Sequence, residues 1–333
     1  MTTKLRIIVT GVPTEAGTHF AGQCKAPEAI ISTGKLLTKL AAKYEVESVP
    51  DIFELNEHIA NAAHWASAPK INGVRNEANT LKVMHHIKDD IIQRAKEQDR
   101  AKAIQLFLGG DCSMVPAIVS ALHHNFSSSK IGIVYFDGDC DLSLPGDSHD
   151  SGRSGILDSM VLSHYTQRAG CLESIKSAFA KPDGAPLVDT SNIVLFGQDP
   201  LQPSVEHWTY LCENQFKCFF RATVAANPAS TARAALDYLH KHDCDAIFVH
   251  FDVDVIDSGE FPLGNFPHYA GLQFEQAAEA LKIFLSEANT LIGLAVTEVN
   301  PNNDPSGEMV TKLVDVIVNG LNQREYEMSI RVV

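Results

Sequence analysis

Short runs rich in β-branched and aromatic residues recur along the chain, separated by stretches whose apolar residues repeat at helical spacing. The clearest runs are LRIIVTGVP from Leu5, AIQLFLGGD from Ala103, IGIVYFDGD from Ile131, NIVLFGQD from Asn192, AIFVHFDVD from Ala246 and LIGLAVTEV from Leu291. Helical spacing covers Glu77 to Gln98, Ser113 to His124, Ser230 to His242, Phe274 to Glu287 and Ser306 to Asn319. Strands that are apolar nearly throughout are buried on both sides, and parallel neighbours need a crossover helix between them. The alternation therefore predicts an α/β fold, a parallel sheet covered by helices on both faces.

The 333 residues are 45% apolar, 20% charged and 8% aromatic, enough for a full core and unlike a disordered, fibrous or membrane-spanning chain. No repeat, charge block or linker marks a second unit, so residues 1–333 are read as one domain. Lys and Arg number 27 against 41 Asp and Glu, a net charge of -14 whose field repels nucleic acid and anionic lipid. The expected partner is a small molecule. Seven dispersed cysteines without a Cys-x-x-Cys pair argue against a disulfide frame or a zinc knot and favour a reducing compartment. The opening MTTKLRIIVTGVP has too short an apolar run for a signal peptide, so a cytoplasmic protein is expected.

Several strands end in acids. The segments are Gly109-Gly110-Asp111-Cys112-Ser113, Asp137-Gly138-Asp139-Cys140-Asp141 and Asp252-Val253-Asp254-Val255-Ile256-Asp257. Ligands of open α/β sheets bind at the carboxyl ends of strands, so these acids are expected to converge. On an extended chain Asp137, Asp139 and Asp141 share a side, as do Asp252 and Asp254, while Cys140 points away and is read as structural. A single Asp-x-Asp pair serves as a turn or a helix cap. Two such clusters and a Gly-Gly-Asp turn on successive strands point instead to carboxylates whose repulsion a divalent cation relieves. Two long polar loops, Gly146 to Gly155 and Ser258 to Gly271, adjoin these ends and are candidates for substrate contact.

These stretches resemble the ureohydrolases: arginase, agmatinase, formimidoylglutamase and guanidinobutyrase. Members have a Gly-Gly-Asp-His-Ser turn, an Asp-Ala-His-x-Asp strand end, a Ser-x-Asp-x-Asp-x-x-Asp-Pro strand end and a late Glu-Val-Asn-Pro. Here the corresponding segments are LGGDCS at Leu108, FDGDCD at Phe136, HFDVDVIDS at His250 and TEVNP at Thr297, with GVPTEAGTHFAGQCKAPEAI from Gly11 resembling the first strand and loop. The resemblance implies a three-layer α/β/α fold around an eight-stranded parallel sheet, assembled as a trimer or hexamer. It also implies two manganese ions held by four Asp and two His, activating water against a guanidinium or amide-like carbon.

The four aspartates match as Asp137, Asp141, Asp252 and Asp254, but the histidine positions hold Cys112 and Asp139. The usual ligands carry about −4 against +4 for two divalent ions, whereas five carboxylates and a thiolate carry about −6. That excess weakens a Lewis acid. Manganese foremost, zinc or iron(II), a mixed pair, a single ion and no metal at all therefore stay open, as does Cys112 as a buried small residue. Asp158 falls where arginases place a proton-shuttling histidine, and Ser143 and Ser154 fall where they receive an amino-acid head group. Asn265-Phe266-Pro267 replaces Gly-Thr-Pro, so Phe266 implies a flatter or more apolar ligand. Glu298 matches the glutamate facing the guanidinium. His149, in the first polar loop, is weighed as a replacement imidazole against an ordinary solvated residue, and His250 is read as packing beside the acids. The expected activity is metal-dependent hydrolysis of a C–N bond in a linear amidine, guanidine or amide other than plain arginine. Ring opening, cyclisation or elimination with few or no metals, and a catalytically silent ligand-binding relative, are the alternatives.

Overall fold

The structure is a computed structural model that describes residues 4–49, 52, 70–96, 103–147, 154–288 and 290–324. Its strands are β1 (Arg6–Val12), β2 (Glu45–Val49), β3 (Ile104–Gly109), β4 (Ile131–Phe136), β5 (Ile193–Phe196), β6 (Lys217–Phe219), β7 (Ala246–Asp252) and β8 (Leu291–Thr297). They form one eight-stranded sheet in the order β2-β1-β3-β8-β7-β4-β5-β6, with all pairings parallel.

All six residues of β4 and all seven of β7 and of β8 are buried, as strands covered on both faces must be. Side-chain alternation divides the core. Ile131, Ile133 and Tyr135 join a cluster with the helices Glu77–Ala95, Val115–Asn125 and Glu173–Phe179, while Val134 and Phe136 join one with Pro228–Lys241, Phe274–Glu287 and Glu308–Asn322. This is the three-layer α/β/α arrangement.

The helix over Phe274–Glu287 has the bounds its periodicity predicts, and a capping box of Gln273 and Gln276 fixes its start. The predicted helix from Ser113 is instead a short 3-10 turn, Cys112–Met114, followed by Val115–Asn125. Asp111 sets that turn by accepting a bond from the Ser113 N–H. The last helix begins at Glu308 rather than Ser306 because Gly307 takes φ 73° in front of it. Strands β2 and β6 were not among the clear runs: both are edge strands, β2 largely uncovered and β6 only three residues long.

The four central strands β3, β8, β7 and β4 are neighbours, so their carboxyl ends open onto one place. The Gly-Gly turn after β3 is tight there, because a Cβ on Gly110 would lie 1.7 Å from the Thr14 carbonyl oxygen. Gly110→Ala is expected to destabilise the fold by about 2 kcal/mol or more, measured by denaturant unfolding. No loss of midpoint would mean that the turn relaxes.

Far from this end, burial and then Lys181 lower the pKa of His123 from 6.5 to about 4, and the neutral ring donates from Nε2 to the Leu187 carbonyl at 2.9 Å. The unfolded chain takes up this proton at a higher pH than the folded one, so its contribution to stability is present above 6.5 and fades as pH falls through about 4. Thermal unfolding should show that acid loss, and His123→Gln should flatten it; an unchanged slope would remove His123 as its source. No helix among the described residues is long and apolar enough to cross a membrane, and all seven cysteines are free.

Candidate functional site

The strand ends meet at a small cleft whose lining includes six aspartates, Asp137, Asp139, Asp141, Asp158, Asp252 and Asp254, with Glu298, Cys112 and Phe266. Among the described residues no Lys or Arg lines it. The acids converge as expected, but not by strand alternation. β4 ends at Phe136, and Asp137 to Asp141 follow as a loop in which Asp141 takes φ 45°. Asp137 Oδ1 accepts from the Asp139 N–H at 2.7 Å, and Asp254 Oδ1 accepts from the Gly138 N–H at 3.3 Å. On β7 the same device recurs: Asp252 Oδ1 accepts from the Asp254 N–H at 2.8 Å and starts the turn Val253–Val255. Turn hydrogen bonds, rather than the pleat, set the spacing of the carboxylates. Glu298, just past β8, is also left-handed at φ 61°.

Among the described residues three groups have donor atoms within 4.8 Å of one another: Cys112, Asp137, His250 and Asp252; Asp139, Asp254 and His268; and Cys112, Asp158 and Glu298. In the first, Cys112 Sγ donates to Asp252 Oδ2 at 2.8 Å and sits 3.2 Å from His250 Nε2. In the second, His268 Nε2 is 3.4 Å from Asp254 Oδ2 and 3.6 Å from Asp139 Oδ2. In the third, the Cys112 N–H is shared by Asp158 Oδ1 at 2.7 Å and Glu298 Oε1 at 3.2 Å, while Gln23 Nε2 donates to Glu298 Oε2 at 2.9 Å.

Burial and mutual repulsion push Asp137, Asp141, Asp158, Asp252 and Glu298 well above the usual carboxylate range. The Cys112 thiol rises for the same reasons, Asp252 being its strongest charged neighbour. Burial alone lowers His250 to about 3, so its ring is neutral. His268 goes the other way: burial opposes its charge, but Asp254 and Asp139 outweigh it and raise the pKa to about 11. One imidazolium stands against seven carboxyl groups, and the buried Asp137 Oδ2 has no hydrogen-bond partner. Oxygen donors, a thiol, imidazole and an unspent carboxylate oxygen fit a divalent cation.

The aspartates, Cys112, Glu298 and Phe266 thus stand together. Phe266 packs its ring 5.6 Å from that of His19 and 5.7 Å from that of Phe20. Cys140 is buried with Sγ 3.8 Å from His207 Nδ1, in keeping with a structural residue. Ser143 lines an adjacent pocket, and Ser154 accepts bonds from Ile156 N and, through its carbonyl, Arg75 Nε; neither lines the acidic cleft. His149 lies outside the described residues. His250 is packed, as expected, yet turns Nε2 toward Cys112. His268 was not singled out in the sequence; the only signal was its place two residues beyond Phe266 in a long loop already marked as adjoining the site.

A sequence model described as the arginase family matches residues 5–321. The chain belongs to the arginase family. The arginase of Staphylococcus aureus (strain MRSA252) is 24% identical over 323 residues, 95% of this chain and 97% of that protein. Among solved structures, the arginase of Bacillus caldovelox superposes with a TM-score of 0.80 at 18% identity, covering 97% of this chain and 100% of that one. The formimidoylglutamase of Bacillus subtilis gives 0.67 at 15% identity over 97% and 88%. At these identities the structural likeness carries the fold of this arginase-family chain, with relatives that bear the names of different enzymes.

Proposed function

We propose that this protein is a metal-dependent hydrolase that cleaves a C–N bond in a linear amidine, guanidine or amide other than plain arginine. The observation that carries the reading is the buried cleft in which Asp137, Asp141, Asp252 and Asp254 meet Glu298, with no Lys or Arg among the described residues of its lining. Such a site attracts cations twice over, first a divalent ion and then a cationic or N–H-rich substrate. Asp137, Asp141, Asp252 and Asp254, with Cys112 and Asp139 completing the shell, would hold divalent ions. Ions there would supply Lewis-acid polarisation and stabilise charge developing at the attacked carbon.

The remaining steps belong to the protein's own groups. Glu298 and Asp158 flank one amide N–H and present carboxyl oxygens to the substrate nitrogens. A cationic substrate relieves their repulsion, so Glu298 ionises and orients it. Asp158, held protonated by burial and by Asp111, Asp141 and Asp252, gives its proton to the departing nitrogen. Phe266 supplies a flat wall that accepts a planar amidine and keeps water from the face opposite attack. A cytoplasmic trimer or hexamer acting on a small molecule belongs to the same reading.

The test is elemental analysis of protein purified without added metal and after loading with manganese, zinc or iron(II), beside a screen of guanidines, amidines and amides for released urea or ammonia. About two ions per chain and chelator-sensitive turnover are expected. No ion in either preparation overturns the reading; turnover that survives chelation would then indicate metal-free chemistry, and neither ion nor turnover a ligand-binding relative.

A further inference from the structure

The two positions where the family motif loses its imidazoles, Cys112 and Asp139, each have a histidine beside them that the motif does not contain. His250 comes from the middle of β7, two residues before Asp252, and brings Nε2 to 3.2 Å from Cys112 Sγ. His268 comes from the loop after the second acidic cluster and brings Nε2 to 3.6 Å from Asp139 Oδ2. Both rings are almost wholly inside the protein, at 0% and 6% exposure.

We propose that His250 and His268 supply the imidazoles missing from positions 112 and 139, so that this chain holds an asymmetric pair of divalent sites. One site, Cys112, His250, Asp137 and Asp252, combines a thiolate, an imidazole and two carboxylates, the donor set of zinc or iron(II) rather than of an oxygen-preferring ion. The other, Asp139, Asp254 and His268, is oxygen-rich and suits a harder ion or a second zinc. The assignment rests on the metal-dependent reading above and adds two imidazoles to its carboxylates.

Three observations support it. The Asp137 carboxylate is 1% exposed, and its Oδ2 has no hydrogen-bond partner although it belongs to the first donor group. His250 turns Nε2 rather than Nδ1 into that group, where Thr297 Oγ1 lies 3.0 Å from it, and the ring is held edge-on to Tyr135 at 4.6 Å. The backbone of His268 is fixed beside the second group: its N–H donates to Ser258 Oγ at 3.0 Å and its carbonyl accepts from the Ser258 N–H at 2.8 Å, while Nε2 faces Asp254 Oδ2 at 3.4 Å. When an ion enters the first site, the Cys112 proton now shared with Asp252 leaves to solvent and sulfur becomes a thiolate ligand; no redox change is involved.

The experiment is X-ray absorption at the zinc edge of the full-length wild-type protein loaded with zinc, which needs no variant to fold. A sulfur shell at about 2.3 Å, amounting to one sulfur for every pair of zinc ions when both sites are filled, and the outer-shell scattering of imidazole are expected. Loading the same protein with cobalt(II) should give a thiolate-to-metal charge-transfer band that Cys112→Ser abolishes. In competition titrations with zinc and a chromophoric chelator, His250→Asn should weaken one ion and His268→Asn the other, each by at least about tenfold. An ion shell of oxygen alone, with both histidine variants binding as wild type does, overturns the assignment and leaves a carboxylate-only metal site. If no ion binds the wild-type protein, the metal-dependent reading falls and the assignment falls with it.

Discussion

Asp252→Asn is expected to lower kcat/KM by at least about a thousandfold, which corresponds to roughly 4 kcal/mol of transition-state stabilisation, and to remove bound metal. The same substitution should make the metal-free protein more stable. Asp252 Oδ1 holds the Asp254 N–H at 2.8 Å, and an asparagine oxygen keeps that bond and with it the turn. What disappears is the Oδ2 acceptor of the Cys112 thiol and, outweighing it, a repulsive carboxylate in a cluster where Asp252 raises the proton affinity of Asp137, Asp141, Asp158 and Glu298. Relief by about 1 kcal/mol should appear as a higher denaturation midpoint in chelator. The pair of measurements matters more than either alone. A variant that loses both activity and apo stability would show that Asp252 supports the fold rather than a cation site.

Glu298→Gln is expected to reduce kcat/KM by about a hundredfold or more for a guanidine or amidine substrate, and by much less for a neutral amide. Glu298 now accepts from the Cys112 N–H at 3.2 Å and from Gln23 Nε2 at 2.9 Å through its two oxygens. A glutamine has only one oxygen, so one of these bonds is lost in either orientation, while backbone shape and volume are kept. Its main effect is electrostatic, because the carboxylate that a substrate cation would ionise is gone. Steady-state kinetics on paired charged and neutral substrates check this, and an equal loss on both classes would assign Glu298 to positioning Cys112 and Gln23.

How much of this was legible in the sequence depended on whether a signal was local. The acids at the ends of β4 and β7 stand directly after apolar runs, and parallel-sheet topology does the rest, so Asp137, Asp141, Asp252 and Asp254 could be named without coordinates. Glu298 followed from its Glu-Val-Asn-Pro context. The route by which the carboxylates meet was not legible, because turn hydrogen bonds from Asp137 and Asp252 replace the strand geometry that their spacing suggested. His268 could not be found because loop conformation, not periodicity, carries it to Asp139 and Asp254. His250 had the opposite fault. It lies in a strand where burial on both faces is the rule, and nothing in a one-dimensional pattern tells a packed ring from one whose nitrogen faces a thiol. Strands β2 and β6 escaped because an edge strand with a single neighbour needs no long apolar run.

The left-handed backbone at Asp141 and Glu298 has a consequence for how substitution there changes this chain. Glycine would sit there without strain, and asparagine with less of it, whereas an aspartate or glutamate in that conformation costs on the order of 1 kcal/mol. Each carboxylate also adds repulsion to an already crowded interior. Glycine at both positions would therefore give a tougher protein with an emptied cleft. Two acids placed where the backbone prefers none cost durability at these points, the trade expected wherever a side chain's chemistry and its backbone's comfort disagree.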